Sequence, residues 1–410
     1  MKHYDVLVVG GGPGGLFTAI QTAQGGKKVG LLEKNKTCGK KLLISGAGKC
    51  NITQAGTMED FFSCYGKQAK FLKHSLLHFT NDDLLAFFKQ RGVSFVTTEK
   101  GKIFPKSMKA SEVLDVLMAE CQRQHVDVLT NESVVEITKE DIFYVKTNQT
   151  TYTSTALVIA TGGMTYQNMG TTGDGYIFAK QLGHKIVPTK PALTPLKIKD
   201  YALVDLSGTS FETLRYTLWR DGRKLNTLEG DILLTHSGVS GPGIINHSRE
   251  MQKGDVLKFN FVHTDEIDAF KKALTKTLAQ DGKRYVKSVV RDLNLTRRFA
   301  DKLLELCEIE DELKCAELTK VKRSNLLKAL TEYEMEVKEL GGLHLAMVTS
   351  GGVSIKEIKP KTMESKKVED LYFVGEVVDV DGDTGGYNIQ AAFSMAKTAS
   401  VSLLAPNRSE

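Results

Sequence analysis

Near the start of the chain, Gly10, Gly12, Gly14 and Gly15 stand between two apolar runs, Val6 to Val9 and Val29 to Leu32, and the second run ends in an acid, Glu33. That order is the Gly-x-Gly-x-x-Gly fingerprint of a dinucleotide site: a strand turns into a helix, and a second strand carries a carboxylate at its end. Each residue type has a task. Gly10 permits a tight turn off the strand, Gly12 has no Cβ to obstruct a pyrophosphate, and Gly15 with Ala19 lets the helix lie close on the sheet. Phosphate oxygens then meet N–H groups at the positive end of that helix. Glu33 is placed to accept hydrogen bonds from a ribose diol.

The fingerprint serves nicotinamide and flavin dinucleotides equally, so the choice rests on later segments. Val158 to Gly163 reads as a strand followed by the turn Thr161-Gly162-Gly163, which brings the chain back across a bound FAD. Further on, Gly375-Glu376 ends another strand, and Asp381-Gly382-Asp383-Thr384-Gly385-Gly386-Tyr387-Asn388-Ile389 leads into a helix. The acid at the strand end can hold ribityl hydroxyls. A helix N-terminus after Gly385-Gly386 can face the flavin pyrimidine edge, where negative charge develops on reduction.

Between these segments lies Ser45 to Asn51, a glycine-broken loop that with Lys40, Lys41 and Lys49 offers donors to a pyrophosphate or an anionic flavin. The competing reading is a solvated basic loop. Cys38 and Cys50 lack the short spacing of a flavin disulfide reductase, so packed thiols are expected. Among nine histidines, His236 and His344 fall in segments expected near the flavin and could act as general acid or base, as could Tyr387 beside the glycine turn. No catalytic residue is assigned. Neither a Ser/His/Asp set nor spaced metal ligands can be argued, and no metal is expected.

The elements that must position these residues follow from periodicity. Residues 1–190 read as a βαβ start followed by further strands and helices: a helix over Asp83 to Arg91, strands at Val126 to Leu129, Val134 to Ile137 and Phe143 to Val145, and a buried one at Ala156 to Ala160. From Leu196 to His263 strand candidates dominate, with Asp221-Gly222 as a hairpin turn and Leu257, Phe259 and Phe261 alternating. Asp265 to about Val337 is charge-rich and helical, with Ile267, Phe270, Leu274 and Leu278 on one face. The tail returns to a strand at Leu371 to Val374 and a helix from about Asn388. The expected organisation is therefore 1–190 plus 350–410 as a nucleotide-binding domain, 191–264 plus 338–349 as a β-rich insertion, and 265–337 as a helical subdomain.

The chain has 410 residues, more than one core usually holds, and 41% hydrophobic with 25% charged residues is an ordinary globular composition. No apolar run is long enough for a membrane span, the six cysteines are scattered, and a cytoplasmic protein with reduced thiols is the expectation. The net charge of +6 suits an anionic cofactor and falls short of a nucleic-acid-binding composition.

The fingerprint, the block Lys40-Lys41-Leu42-Leu43-Ile44-Ser45-Gly46-Ala47-Gly48-Lys49-Cys50-Asn51, the stretch Gly230 to Gly243 and the block Gly375 to Phe393 together resemble the aminoacetone oxidase or BaiN-like family of FAD-binding oxidoreductases. The likeness runs nearly end to end. It implies an α/β fold, a glutathione-reductase-like FAD-binding Rossmann domain with an inserted β-barrel-like domain and a helical subdomain. It also implies FAD contacts at Gly14, Gly15, Glu33, Lys34, Lys41, Asn51, Val135, Gly162, Glu376, Asn388 and Ile389, with Val134 an equal candidate for the adenine contact. Two residues depart from the pattern: Ala47 stands where glycine is expected, and Lys49, without the bidentate fork of arginine, stands where arginine is expected.

The leading functional expectation is an FAD enzyme that takes a hydride from a small amine or alcohol, with oxygen as acceptor. A second reading is an NAD(P)H-dependent reductase of an enone or keto, steroid-like substrate. NAD(P)H would bind only transiently, because the glycine cluster Gly238 to Gly243 lacks a ribose acid. A third is a flavoprotein acting on RNA through Lys283, Arg284, Lys287, Arg291, Arg297 and Arg298, but Asp281 and Asp292 interrupt that stretch and stacking aromatics are sparse. A small-molecule substrate is expected, a nucleic-acid partner and a membrane are not, and no oligomeric state is assigned.

Overall fold

The computed structural model describes residues 1–405, which fall into two compact units: Met1–Ala192 with the described part of Leu343–Glu410, and Leu193–Gly342. The first unit is built on a 7-stranded sheet. Strand β1 (Lys2–Val9) leads into helix α1 (Pro13–Gln24) and strand β2 (Val29–Glu33), and β1 and β2 pair in parallel with Val6 opposite Val29. Strand Asp127–Thr130 extends the sheet beyond β2, and Thr151–Ile159 lies on the other side of β1. Central parallel strands are covered on both faces, which is why Val6 to Val9 and Val29 to Leu32 are unbroken apolar runs.

Strand Thr151–Ile159 starts before the expected Ala156 because Thr151, Thr153 and Thr155 supply β-branched residues at alternate positions. Its first half pairs antiparallel with Phe143–Thr147, which pairs with Val134–Lys139; its second half pairs in parallel with Leu371–Phe373. The tail thus re-enters the sheet, and the closing helix Tyr387–Leu404 packs on α1, where Phe17 meets Phe393 edge-on at 5.2 Å between centroids. A separate ribbon joins Ile186–Ala192 to Val348–Val353, so residues 343–349 belong to this unit and not to the β-rich insertion.

The second unit contains a closed barrel of Leu196–Ile198, Gly238–Ser240, Arg223–Leu234, Ser210–Arg220, Val256–Asn260 and Tyr333–Leu340. Asp221 and Gly222 both take positive φ, 48° and 73°, in the two-residue hairpin that Asp-Gly favours. Leu257 and Phe259 are buried in the core, and Phe261 meets Phe299 of the helical part edge-on at 4.4 Å between centroids. The helices run from Ile267–Gln280 to Lys320–Thr331. The helical reading to residue 337 overshoots: from Tyr333 the chain is a barrel strand, its exposed Glu and Lys disguising the alternation of buried Met335 and Val337.

A buried histidine in the first unit makes stability depend on pH. His184 is 3% exposed, its ring meets Phe373 edge-on and its Nε2 lies 2.9 Å from Ser365 Oγ. Burial pulls its pKa below the ordinary value near 6.5, and Glu357 only partly opposes this. The unfolded chain therefore binds more protons than the folded one below that value, and the stabilisation present above it is lost as pH falls. Denaturant midpoints should drop as the pH falls below 6.5, and His184→Gln should flatten that drop, whatever its effect at neutral pH.

Candidate active site

The glycine turn is held by close backbone contact. A Cβ on Gly15 would sit 1.9 Å from the Gly10 carbonyl oxygen, and one on Gly10, at φ +112°, would sit 2.5 Å from the Ala160 carbonyl oxygen. A Cβ on Gly12 would meet nothing within 4 Å, so this side of the turn is open. Pro13 occupies the first helical position and no side chain caps α1, which leaves first-turn N–H groups available to a phosphate. Glu33, at the end of β2, is fixed beside them: Oε2 accepts from Gly11 N–H at 2.9 Å, and Oε1 accepts from the backbone and side chain of Asn35 at 2.8 and 2.7 Å. A carboxylate has further lone-pair capacity for a ribose hydroxyl.

At the far end of the site, Glu376 follows the returning strand. Its Oε2 is 2.7 Å from Lys41 Nζ, its Oε1 accepts from Thr349 N–H at 2.8 Å, and Lys41 also donates to Thr165 Oγ1 at 2.6 Å. The two expected contacts Lys41 and Glu376 are thus brought together although far apart in the chain. Gly162 takes φ +74°, and a Cβ on the adjoining Gly163 would overlap Thr349 Oγ1 and Glu376 Oε1 at 2.4 and 2.6 Å. The Thr161 to Gly163 turn therefore lies directly on these side chains.

The closing helix begins after Gly385 and Gly386, both at positive φ; a Cβ on Gly386 would sit 2.7 Å from Thr53 Cα. Asn388 spends its side chain on the preceding loop: Oδ1 accepts from Gly382 N–H and Nδ2 donates to the Gly382 and Asp383 carbonyls. The contact expected of Asn388 and Ile389 is consequently one of backbone N–H groups at the uncapped end of an 18-residue helix. Tyr387 packs edge-on with Phe61 and Tyr65, and the buried Tyr65 hydroxyl donates to the Tyr387 carbonyl. Burial, with Cys64 second, drives the Tyr387 phenol well up, which suits an anchor better than a base. In the same loop system, burial and then Asp381 push the Asp379 carboxyl up, the direction required of an acid that holds a proton.

The remaining expected residues fall as follows. Asn51 is buried, and its Oδ1 has no hydrogen-bond partner among the described residues. Val135 sits at a register shift between Val134 and Glu136, where a bulge frees backbone groups from the ladder, and the Glu132 N–H bond to the Glu33 carbonyl ties this segment to the end of β2. Lys34 gives its ammonium to Asp174 and Thr172, leaving its backbone for the cofactor. His344 is exposed in the first unit, and His236 is exposed in a turn of the barrel unit. Neither is joined by the structure to a catalytic partner. Cys38 and Cys50 are buried free thiols whose pKa burial pushes up to about 12, consistent with packing and not with thiolate chemistry. Asn35, Tyr65, Thr165 and Thr349 carry no motif signal and are found only from their bonds to Glu33, Tyr387, Lys41 and Glu376.

Residues 4–402 match the family described as HI0933-like protein Rossmann domain, and the chain belongs to it. It is similar to the ribosomal RNA dihydrouridine synthase of Escherichia coli (strain K12), 28% identical over 100% of both chains. It is also similar to the 3-dehydro-bile acid delta(4,6)-reductase of Clostridium scindens, 29% identical over 94% of this chain and 96% of that one. Among solved structures, a 3-ketosteroid-delta4-(5alpha)-dehydrogenase from Rhodococcus jostii RHA1 shares the fold, with a TM-score of 0.52 and 14% identity over 99% of this chain and 97% of that one. The chain is an FAD-dependent oxidoreductase with an FAD-binding Rossmann domain.

The residues present fit that cofactor. A buried amide oxygen left without a donor costs about 1–3 kcal/mol, and Asn51 Oδ1, like the buried Thr161 Oγ1, is in that condition. We assign the diphosphate to the start of α1, the ribose to Glu33 and the flavin end to Asn51, Glu376 and the closing helix. Glu33→Ala should then weaken FAD binding to apoprotein by roughly 10- to 100-fold in a fluorescence titration, the loss of a charged hydrogen bond. Ala47, at φ +56°, occupies the left-handed region that favours glycine. Ala47→Gly should raise stability by about 1 kcal/mol in denaturant melts.

Proposed function

We propose that this enzyme saturates a carbon–carbon double bond conjugated to a carbonyl, with a reduced nicotinamide as the electron source. The observation that carries this reading is the end-to-end likeness to two enzymes whose names describe one chemical change on unlike substrates. Dihydrouridine differs from uridine by saturation of a ring double bond conjugated to a carbonyl, and a delta(4,6)-reductase acts on double bonds in conjugation with a keto group. In the net reaction the β-carbon gains a hydride, the α-carbon gains a proton, and the nicotinamide is oxidised.

Bound FAD supplies the hydride exchange between the two substrates. The chain's part is to fix that group and its electrostatics. Main-chain N–H groups at the start of Tyr387–Leu404 favour negative charge nearby, and the Asn388 clamp and the Tyr65 hydroxyl hold that helix start in place. Glycines 238, 241 and 243 serve the barrel: a Cβ on Gly243 would sit 2.7 Å from the Gly230 carbonyl carbon, and the Gly243 carbonyl accepts from Tyr216. This supports a nicotinamide that visits and leaves.

Under anaerobic conditions NADPH or NADH should bleach the flavin, and a 4-ene-3-keto steroid or a uridine-containing RNA should restore its colour with one equivalent of saturated product. Hydrogen peroxide formed from small amines or alcohols in air, without bleaching by either nicotinamide, would instead establish the oxidase and overturn this reading.

A further inference from the structure

Two lysine-bearing segments of the first unit lack acids altogether: residues 34–58 and residues 100–111 contain no Asp or Glu. The fold stitches them together. Ile52 N–H donates to the Ile103 carbonyl at 3.0 Å, Ala55 N–H to Gly101 at 2.8 Å, and Ala110 N–H to Gly48 at 2.8 Å. Thr53–Gln54, Lys102–Pro105 and Phe95–Thr97 form one small antiparallel sheet. Around this small sheet Lys49, Lys106 and Lys109 are exposed and Lys102, on its central strand, is half-buried, and none of the four has an ion pair among the described residues. Phe104 lies between them, its ring edge 3.2 Å from where a Cβ on Gly46 would be. The flanking acids are Glu33, Glu59, Glu99 and Glu112; Glu33 is engaged by Gly11 and Asn35, and Glu112 by Ser107.

The basic stretch of the helical part is built differently. Arg284 pairs with Asp281 and Asp292, Lys287 with Asp311, and Arg291 with Asp301, while Arg298 donates to the Asp205 carbonyl. Its charge is largely spent internally.

We propose that the surface formed by Lys49, Lys102, Phe104, Lys106 and Lys109 is a docking surface for the phosphate backbone of an RNA segment whose base is the substrate. This deepens the reductase reading above and rests on it. Three observations favour RNA. Unpaired ammonium groups without interspersed acids match a polyphosphate chain. A half-buried ring among them is the companion that single-stranded nucleic acid uses for stacking. The loop that carries Lys49 also carries Asn51, whose orphaned buried oxygen marks the site, so a strand laid along this surface passes close to that site. The surface was not visible as a run, because its charges come from two segments that only the sheet brings together.

The test uses the FAD-loaded enzyme, a fluorescein-labelled uridine-rich RNA hairpin and the triple variant Lys102→Gln, Lys106→Gln, Lys109→Gln. The native enzyme should bind the hairpin with a strong salt dependence. The variant should bind at least tenfold more weakly, and its slope of log affinity against log salt should be shallower by about two. Anaerobic flavin bleaching by NADPH and recolouring by a small enone should be unchanged. A control, Lys283→Gln with Arg284→Gln, should bind RNA as the native enzyme does. No RNA binding, equal binding by the triple variant, or equally tight binding of polyglutamate would overturn the docking surface and leave the reductase reading intact. Failure of enone and RNA alike to recolour reduced flavin would instead sink the reductase reading, whatever the binding result.

Discussion

The structure depends on one steric constraint: the first turn of α1 comes so close to the end of β1 that only hydrogen fits between Gly15 and the Gly10 carbonyl. Any larger atom at residue 15 would lever the helix off the sheet and open the turn. Because α1 starts there, its free N–H groups lie at the edge of the parallel sheet, and the neighbouring strand ends, Glu33 on one side and Thr161 on the other, border the same place. The dinucleotide site follows from how closely two pieces of backbone can pack.

The far half of the site is less a matter of packing than of charge and hydrogen bonding. Glu376 and Lys41 neutralise one another while staying partly accessible, so this part of the site carries paired charge instead of a lone carboxylate. Thr165 and Thr349 fix the orientation of that pair. The closing helix is clamped at its first turn by its own Asn388 side chain, which bonds the backbone of the preceding loop, and by the Tyr65 hydroxyl, and these bonds fix the orientation of its dipole. Such preorganisation is the usual source of electrostatic assistance in enzymes.

How much of this could be read from the chain depends on the range of the interaction. The glycine turn, Glu33, the Asp221-Gly222 hairpin and the returning strand at Leu371 are local patterns, and each lies where the sequence indicated. The barrel strand Tyr333–Leu340 was hidden because its outward face is charged and the helices before it are charged as well. Asn35, Thr349 and Tyr65 were not foreseeable, since each acts through a partner chosen by folding. The motif marks Asn388 as an expected contact, whereas its amide bonds its own loop. Backbone-mediated roles of this kind leave little trace in residue type.

The split of the first unit along the chain has a consequence for biogenesis. The sheet receives Leu371–Phe373, and α1 its partner helix Tyr387–Leu404, only after the whole of Leu193–Gly342 has been translated. During synthesis the barrel unit has every strand it needs while the nucleotide-binding unit still exposes one side of Thr151–Ile159 and the apolar flank of α1. Domains fold as units as they emerge. The nascent flavoprotein therefore passes through a stage with a finished barrel and an open, aggregation-prone sheet edge, which favours chaperone attendance until the last strand and helix arrive.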